Sequence, residues 1–512
     1  MNRNFYSLCH QQFDLQKPFL VTETENFTYQ DLDHCSAARA HWLVNAGLKP
    51  GDRVIVQVQK SAQNLFWYFA CLRAGLIYLP LNTAYQPREL EYFTGNATPA
   101  LIICDPDQRA IFESVATCQI ETLNSLGEFS SPLPQSEDFP DVDVNTDDVA
   151  AILYTSGTTG KPKGAMISHG NLFENATTLT QLWQWQSDDM MLHALPVFHV
   201  HGLFVATHLP VLNSSTILFL NRFSAESVLE ALPKASVYMG VPTHYTRLLQ
   251  DPRFNQETCG NMRLFTSGSA PLLKQTFEQM VAQTGHQIVE RYGMTETGMN
   301  TSNPVEGERK AGTVGLALPG VETRILDDNN ELVGIDSPGN LLVRGKNVFQ
   351  GYWQMPEKTA DEFTADGFFK TGDVAAIDKD GYISIVGRDK DMVISGGLNI
   401  YPKEIESIID QIDGVLESAV IGTPHSDFGE AVTAIIVLEN NGLENKALES
   451  DGLEGLALKR KALEPDDIMA QLRAQLANFK LPKKIHFTDA LPRNTMGKVQ
   501  KNILRDTYNG PA

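Results

Sequence analysis

The segment Thr155-Ser156-Gly157-Thr158-Thr159-Gly160-Lys161-Pro162-Lys163-Gly164 decides the interpretation of this chain. It follows the apolar run 149–154, which predicts a buried strand. Glycines let the backbone approach a ligand closely, while N–H groups, hydroxyls and Lys side chains bind phosphate. The segment is not a Walker A loop, because only two residues separate its glycines and Pro162 follows the first Lys. The sequence therefore predicts a phosphate-binding loop of another type.

Length and composition limit the classes of protein to consider. The 512 residues suffice for at least two domains. The formal net charge of -21 argues against sequence-independent nucleic-acid binding, so any anionic substrate needs a local cluster of Lys and Arg. No apolar run reaches the ~18 residues of a membrane helix, and the N-terminus lacks the apolar core of a signal peptide. Six cysteines without a C-x-x-C spacing favour free thiols, so we expect a cytoplasmic protein.

Alternating helical and strand patterns predict an α/β fold with layered sheets. The predicted elements are helices at 31–46 and 61–74, strands at 53–58, 76–81 and 100–104, and a connecting loop at 123–147. A charged break at 387–391 lies between two apolar strands and predicts a domain boundary, beyond which a smaller α/β pattern follows. Within that smaller part, 440–462 is rich in Leu, Glu and Lys and predicts a solvated helix or an insertion.

Six further motifs accompany the first. Each alone would be structural more often than functional, but six in one order are hard to attribute to chance. They are Ser267-Gly268-Ser269-Ala270-Pro271, Arg291-Tyr292-Gly293-Met294-Thr295-Glu296-Thr297 (after an apolar stretch at 286–289 that resembles a strand), Phe369-Lys370-Thr371-Gly372-Asp373, Gly387-Arg388, Gly396-Gly397-Leu398-Asn399-Ile400-Tyr401-Pro402 and Pro492-Arg493-Asn494-Thr495-Met496-Gly497-Lys498.

This set resembles the adenylate-forming superfamily of acyl-CoA synthetases, amino-acid-activating domains and luciferases. The resemblance implies a large N-terminal domain (1–388), a hinge (389–390, with Lys390 as the hinge residue) and a small mobile C-terminal domain (391–512). It also implies two half-reactions. A carboxylate first attacks the α-phosphate of Mg-ATP to give acyl-AMP and pyrophosphate, and a thiol then displaces AMP.

The resemblance also implies a role for each motif residue. The loop Thr155, Ser156, Gly157, Thr158, Thr159, Gly160, Lys161 and Lys163 would hold the β- and γ-phosphates. Glu296 would bind Mg²⁺, which prefers carboxylate oxygen, and Thr295 would contact the α-phosphate. The adenine pocket would comprise Ser269, Ala270, Pro271, Tyr292, Gly293 and Met294. Asp373 and Arg388 would bind the ribose, Gly396 and Gly397 would lie beside coenzyme A, and catalytic Lys498 would bridge the attacking carboxylate and the α-phosphate.

Arg291 makes the expected substrate more specific. Many relatives that use apolar acids have a small residue at this position, and a buried guanidinium is costly unless it is paired. A second substrate carboxylate would pair with it through two parallel hydrogen bonds, and His199, His201 and Ser267 would complete that end of the pocket. These residues resemble those of malonyl-CoA synthetases, although Val200 replaces the usual Thr. Two alternatives stay open: an ion pair between Arg291 and an acidic residue of the protein such as Glu290, and a packing and orientation role for the histidines.

The sequence thus predicts an ATP-dependent ligase that joins malonate, or methylmalonate, to coenzyme A. Its partners would be the small molecules malonate, ATP and coenzyme A, with Mg²⁺ as cofactor. The enzyme would be a monomer or a homodimer. One alternative is a ligase for another short acid. Others are an enzyme that loads a separate carrier-protein thiol, since no carrier domain follows Lys498, and a non-catalytic nucleotide-binding protein.

Overall fold

The structure is a computed structural model that describes residues 2–136, 138–155, 162–395, 398–425, 429–439, 463–494 and 497–509. The chain divides into two compact units. The first comprises Met1–Leu326, Leu341–Thr371 and Ile377–Ser384, and the second comprises Asp327–Asn340, Gly372–Ala376 and Ile385–Ala512. Each unit is described by itself below.

The helices and strands alternate along the chain, as the sequence predicts for the α/β class. The strands are β1 (Pro18–Val21), β2 (Asn26–Thr28), β3 (Arg53–Gln57), β4 (Ile77–Pro80), β5 (Leu101–Cys104), β6 (Gln119–Thr122), β7 (Val149–Thr155), β8 (Lys163–Ser168), β9 (Met190–His193), β10 (Thr216–Phe219), β11 (Val237–Gly240), β12 (Leu264–Ser267), β13 (Val289–Met294), β14 (Gly298–Ser302), β15 (Leu316–Ala317), β16 (Glu322–Leu326), β17 (Gly339–Arg344), β18 (Phe369–Ile377), β19 (Ile383–Arg388), β20 (Val393–Ser395), β21 (Leu398–Ile400), β22 (Val415–His425), β23 (Gly429–Leu438) and β24 (Lys484–Phe487).

The α-helices are α1 (Phe5–His10), α2 (Tyr29–Asn45), α3 (Ala62–Arg73), α4 (Pro87–Ala97), α5 (Arg109–Val115), α6 (His169–Leu182), α7 (Ala206–Leu212), α8 (Ala225–Ala231), α9 (Pro242–Leu248), α10 (Lys274–Thr284), α11 (Pro356–Glu362), α12 (Pro402–Ile409), α13 (Pro465–Gln475) and α14 (Lys501–Tyr508). A π-helical turn spans His201–Val205, and short 3₁₀ turns span Pro106–Gln108, Leu232–Lys234, Asp389–Asp391 and Asn478–Lys480. None of the helices in the described part of the chain is long and apolar enough to cross a membrane.

Two large sheets organise the first unit. One has six strands in the order β6-β5-β3-β4-β7-β8, and the other has nine in the order β15-β14-β13-β12-β11-β9-β10-β1-β2. Strand Ile77–Pro80 is buried along its whole length, as expected for a parallel strand covered on both faces. Helix α3 is likewise buried at nearly every position, and Ser61 caps it by accepting from the Asn64 N–H. Loops that follow the carboxyl ends of such parallel strands are the usual place for ligands.

The second unit has its own core. Its five-stranded sheet has the order β21-β20-β23-β22, with β24 paired to β23. Apolar residues of α12 and α13 pack on this sheet; Ile405, Ile409, Ile468 and Leu472 are all fully buried. A separate four-stranded sheet, in the order β16-β17-β18-β19, is formed by residues 322–388.

The predicted helices and strands of the first 104 residues are confirmed, with boundaries shifted by one or two residues. Of the charged break predicted at 387–391, Asp389–Asp391 form a 3₁₀ turn between β19 and β20, whereas residues 387 and 388 are the last two of β19. One expectation was wrong: the strand assigned to 286–289 begins only at Val289 and continues to Met294. Residues 291–294 of the Arg291 motif therefore lie within the strand, because they pair with β14. The segment 440–462 lies outside the described residues.

Candidate active site

Two antiparallel strands hold the ends of the predicted phosphate-binding loop. Thr155 at the end of β7 pairs with Lys163 at the start of β8. Gly164 packs closely against β7, since a Cβ atom there would lie 2.9 Å from Ile152 Cγ2. The loop residues Ser156, Gly157, Thr158, Thr159, Gly160 and Lys161 lie outside the described residues, so their phosphate-binding role stays a prediction.

Lys163 points into the protein. Only 7% of this residue is exposed, and its Nζ lies 3.2 Å from Glu362 Oε1 and 4.2 Å from the centre of the Tyr352 ring. Its charge is therefore balanced by Glu362 in this structure. Whether Lys163 also contacts phosphate stays a prediction.

Glu296 lies in the turn that joins β13 to β14 and is only 5% exposed. Its Oε1 accepts hydrogen bonds from the hydroxyls of Tyr352, at 3.0 Å, and Thr155, at 3.3 Å. The Phe349 N–H donates to the Glu296 backbone carbonyl at 2.7 Å, and this hydrogen bond stabilises the turn. Burial raises the pKa of the Glu296 carboxyl. Glu296 is thus a buried carboxylate whose hydrogen-bond partners are neutral hydroxyls.

These surroundings fit a divalent cation that arrives with a phosphate ligand. A nearby cation would offset the burial that raises the pKa of Glu296. Within the described ranges, no three His, Cys, Asp or Glu side chains are grouped so that they could hold a metal alone. Mg²⁺ is commonly bound by one or two carboxylates together with substrate phosphates. Glu296 therefore suits a metal that comes with the nucleotide.

The segment after β12 connects two of the predicted pockets. Ser269 has a φ of 71°, a strained conformation for a residue other than glycine. Its Oγ lies 3.3 Å from His201 Nδ1. Ala270 beside it is half-buried, and Pro271 is exposed. The predicted adenine-binding segment therefore contacts a residue of the predicted acid pocket.

Strand β13, which carries the Arg291 motif, requires a glycine at position 293. A bulge interrupts its pairing with β14 between Tyr292 and Gly293, and a Cβ on Gly293 would lie 2.8 Å from Met299 Cα. Tyr292 and Met294 are half-buried on either side. Thr295, in the following turn, lines a small cavity together with Val200. These contacts connect the Arg291 motif to the His199–His201 segment.

Arg291 is a buried cation without an acidic partner. It is 2% exposed, and its Nε and Nη2 atoms are buried without a hydrogen-bond partner. Its guanidinium lies against Gly268, where a Cβ atom would be 2.6 Å from Cζ. Burial lowers the pKa of Arg291 to about 10. Among the residues that the structure describes, no carboxylate forms an ion pair with this guanidinium.

Glu290 is not the partner of Arg291. Adjacent residues of a strand point to opposite faces, and the Oε1 atom of Glu290 accepts from the Leu272 N–H at 3.1 Å. The alternative of an Arg291–Glu290 ion pair is therefore excluded. The guanidinium instead faces the glycine that follows β12.

Other buried polar atoms of the first unit also lack partners. Within the described residues, the Nε2 atoms of His199 and His201 and the Oγ of Ser267 are buried and have no hydrogen-bond partner. Burial lowers the pKa of His199 to about 4, and burial together with Arg291 lowers the pKa of His201. Both imidazoles are therefore neutral at pH 7. Unsatisfied buried polar atoms are rare, and such a group of them indicates a place that a polar ligand fills.

In the second unit, Asp373, Arg388, Lys390 and Lys498 lie close together. Arg388 Nε is 2.9 Å from Asp373 Oδ1. Burial, together with the charges of Arg388 and Lys390, lowers the pKa of Lys498 to about 8, although Asp373 and Asp391 partly offset this shift. The lysine predicted to be catalytic thus lies among the residues predicted to bind ribose. Lys390 lies in the 3₁₀ turn Asp389–Asp391, and its role as the hinge stays a prediction.

Gly396 and Gly397, predicted to lie beside coenzyme A, are outside the described residues.

Three residues of the first unit were missed by sequence reasoning. They are Tyr352, whose hydroxyl donates to Glu296, and Lys60 and His193, which contact each other near the segment 199–201. No motif marks them, and only the unusual position of Lys60 after the apolar run 54–58 could have drawn attention to it.

Comparison with known proteins covers nearly the whole chain. The AMP-binding enzyme family matches residues 10–353, and the AMP-binding enzyme C-terminal domain matches residues 404–498. Malonate–CoA ligase of Arabidopsis thaliana is 34% identical over 488 residues, which cover 90% of this chain and 78% of that protein. Feruloyl-CoA synthase of an Amycolatopsis species is 33% identical over 485 residues, 94% of each chain. ATP-bound MatB from Rhodopseudomonas palustris has a structure with a TM-score of 0.93 and 47% identity, over 100% of this chain and 99% of that chain.

Proposed function

The chain belongs to the AMP-binding enzyme family and is an acyl-CoA ligase with the adenylate-forming fold, and from that premise we propose that its acid substrate is malonate. One observation carries this proposal: Arg291 is 2% exposed and, within the described residues, two of its nitrogen atoms lack hydrogen-bond partners and no carboxylate forms an ion pair with it. A buried charge in this state is costly unless an anion of the ligand pairs with it. A dicarboxylate keeps one free carboxylate after activation and would supply that anion.

The feruloyl-CoA synthase and malonate–CoA ligase relatives are similarly distant, so similarity alone does not identify the acid. The chemistry of Arg291 favours malonate as the acid. An aromatic acid would leave the guanidinium unpaired, whereas a carboxylate accepts two parallel hydrogen bonds from it. Neutral His199 and His201 and the Ser267 hydroxyl add donors without adding charge. Methylmalonate has the same two carboxylates and is the nearest alternative.

In the first half-reaction, a malonate carboxylate oxygen attacks the α-phosphorus of ATP, and the bond from that phosphorus to pyrophosphate breaks. We propose that Lys498 stabilises the charge that gathers as these two anions meet and that Thr295 donates to the α-phosphate. The proposed ribose ligands are Asp373 and Arg388. Mg²⁺, when bound with ATP through Glu296, would neutralise charge on the phosphate oxygens.

In the second half-reaction, the coenzyme A thiolate attacks the carbonyl carbon of malonyl-AMP. The bond from that carbon to the AMP oxygen breaks, so malonyl-CoA forms and AMP leaves. Arg291 would hold the distal carboxylate through both steps. The guanidinium therefore contributes to substrate choice, whereas Lys498 contributes to one chemical step.

The decisive experiment compares Arg291→Ala with wild type on malonate and on butyrate, each with ATP and coenzyme A. Loss of one side of a buried charged contact costs about 2–5 kcal/mol. The kcat/KM for malonate should then fall roughly 30- to 5,000-fold. Activity toward butyrate should hold or rise, because the variant no longer buries an unpaired cation. Arg291→Lys keeps the positive charge but loses the two parallel hydrogen bonds of the guanidinium, so it should retain part of the malonate activity.

A matched control is Arg263→Ala, because Arg263 is paired with Asp189 in the same unit. It should affect both acids equally. Equal loss of malonate and butyrate activity in Arg291→Ala would instead contradict the proposal. A panel of mono- and dicarboxylates of two to six carbons would then identify the acid. Omission of coenzyme A separates complete ligation from adenylation for another thiol.

A further inference from the structure

Lys60 lies between β3 and α3, and its side-chain nitrogen contacts backbone carbonyls at the carboxyl ends of β9 and β10. Its Nζ lies 2.9 Å from the His193 carbonyl, 2.6 Å from the Leu220 carbonyl and 2.9 Å from His193 Nδ1. The Phe219 ring lies beneath it, with its centre 4.1 Å away. Within the described part of the chain, no acidic side chain forms an ion pair with Lys60. Lys60 is therefore a second cation of the first unit that no carboxylate neutralises.

The hydrogen bonds fix the protonation of His193. Its Nε2 lies 2.9 Å from the Gly202 carbonyl, which can only accept, so Nε2 must carry a hydrogen. The two backbone carbonyls beside Lys60 also only accept, so they use two protons of Nζ. The remaining contact, between Nζ and Nδ1, holds one further proton. An ammonium at Lys60 therefore has an acceptor for each of its three protons, although burial lowers its pKa well below the usual value.

This pair holds the segment that carries the pocket histidines. The Gly202 carbonyl accepts from His193 and also from the Thr207 hydroxyl, at 2.9 Å. Gly202 itself packs against Pro196, and a Cβ atom on Gly202 would overlap the Pro196 carbonyl. The chain from Pro196 to Gly202 is thus fixed at both of its ends. His199 and His201, whose Nε2 atoms lack partners, lie on this fixed chain.

We infer that Lys60 is a positioning residue that sets the selectivity of the acid pocket for a dianion. It acts through His193 and Gly202 on the direction in which His199 and His201 present their unpartnered nitrogens. A dicarboxylate gains from this orientation, whereas a monocarboxylate has no second anion to contact those nitrogens. This inference rests on the proposed function, since it assigns a further selectivity determinant for the same substrate.

The test is Lys60→Met, which keeps the length of the side chain and removes its charge and hydrogen bonds. Hydrogen bonds to charged groups are strong enough that we expect the kcat/KM for malonate to fall roughly 10- to 100-fold. The loss should appear mainly as a higher KM for malonate. The KM for ATP and the activity toward butyrate should change less than about threefold.

Three further variants separate positioning from general damage. Lys274→Met, at an exposed lysine on α10, should change nothing. Thr207→Val removes the other hydrogen bond to the Gly202 carbonyl without changing charge, and should lower malonate activity less than Lys60→Met does. Lys60→Arg keeps the charge and should restore part of the selectivity for malonate over butyrate. The thermal midpoint of each variant shows whether folding is intact.

The outcomes distinguish this inference from the proposed function. If wild type prefers malonate and Arg291→Ala abolishes that preference, the proposed function holds. An equal fall of malonate and butyrate activity in Lys60→Met, with wild-type selectivity retained, would then overturn the role of Lys60 alone. If wild type shows no preference for malonate, both proposals are overturned.

Discussion

Arg291 and Lys498 are both cations in buried surroundings, but their neighbours differ. Burial lowers the pKa of each, to about 10 for Arg291 and to about 8 for Lys498. Arg291 has no acid among its described neighbours, whereas Lys498 has two basic and two acidic side chains nearby. At neutral pH the guanidinium stays charged, and the ammonium is only about one unit from losing its proton. A permanent charge suits recognition of a group that never reacts, and a labile one suits a single chemical step.

Removal of Lys498 should have the largest effect. Lys498→Ala deletes a donor to charge that develops in the transition state, and such losses slow a step by roughly 10²–10³-fold. We expect that decrease in the formation of malonyl-AMP, measured by pyrophosphate release. Thioester formation from supplied malonyl-AMP should be preserved.

Equal slowing of both half-reactions by Lys498→Ala would contradict the contrast between Arg291 and Lys498, since the lysine would then act outside adenylation as well. Lys501→Ala is a suitable control because Lys501 is near Lys498 in sequence but paired with Glu406, 2.6 Å away. It should lower stability more than either rate.

Gly268→Ala should displace the Arg291 guanidinium without removing it. The added Cβ would lie 2.6 Å from Cζ, so the guanidinium must move. Misplacement of a substrate-positioning group by about 1 Å costs on the order of 10²-fold. We expect malonate kcat/KM to fall roughly 10- to 100-fold, with butyrate little changed. Gly95→Ala, on α4, fills open space and should leave both activities unchanged.

The pH dependence of adenylation should show the smallest effect. Because the pKa of Lys498 is lowered to about 8, the required ammonium is present below pH 8 and is lost as the pH rises through that value. The kcat/KM for adenylation should therefore fall about fivefold between pH 8 and pH 9 relative to the thioester half-reaction. Lys498→Arg, whose charge persists above pH 12, should remove this decline. A profile for wild type that stays flat to pH 10 would contradict the low pKa.

Much of the fold could be predicted because it follows from local patterns. The buried runs of β3, β4, β5 and β7 and the helices α2 and α3 are visible in the sequence, and so is the charged turn before β20. The start of β13 was misjudged because its residues 291–294 look like a loop motif. They are strand because β14 pairs with them, a contact that periodicity does not contain.

The candidate site was predictable where a motif marks it, and not elsewhere. Arg291 was singled out because a large cation replaces a small residue in a recognisable motif. The pair of Lys60 and His193 was missed because it joins distant parts of the chain through backbone carbonyls. Tyr352 was missed for the same reason, since its hydroxyl meets Glu296 only after folding.

The π-helical turn His201–Val205 determines which changes of chain length this enzyme could tolerate. Such a turn holds one residue more than the α-helical turn that would replace it. Each residue turns an α-helix by about 100°, because 3.6 residues complete a turn. Deletion of a single residue here would therefore swing His201 away while α7 stays in place. Libraries that aim at new acids should exchange side chains at 199, 201 and 291 and leave the length of this segment alone.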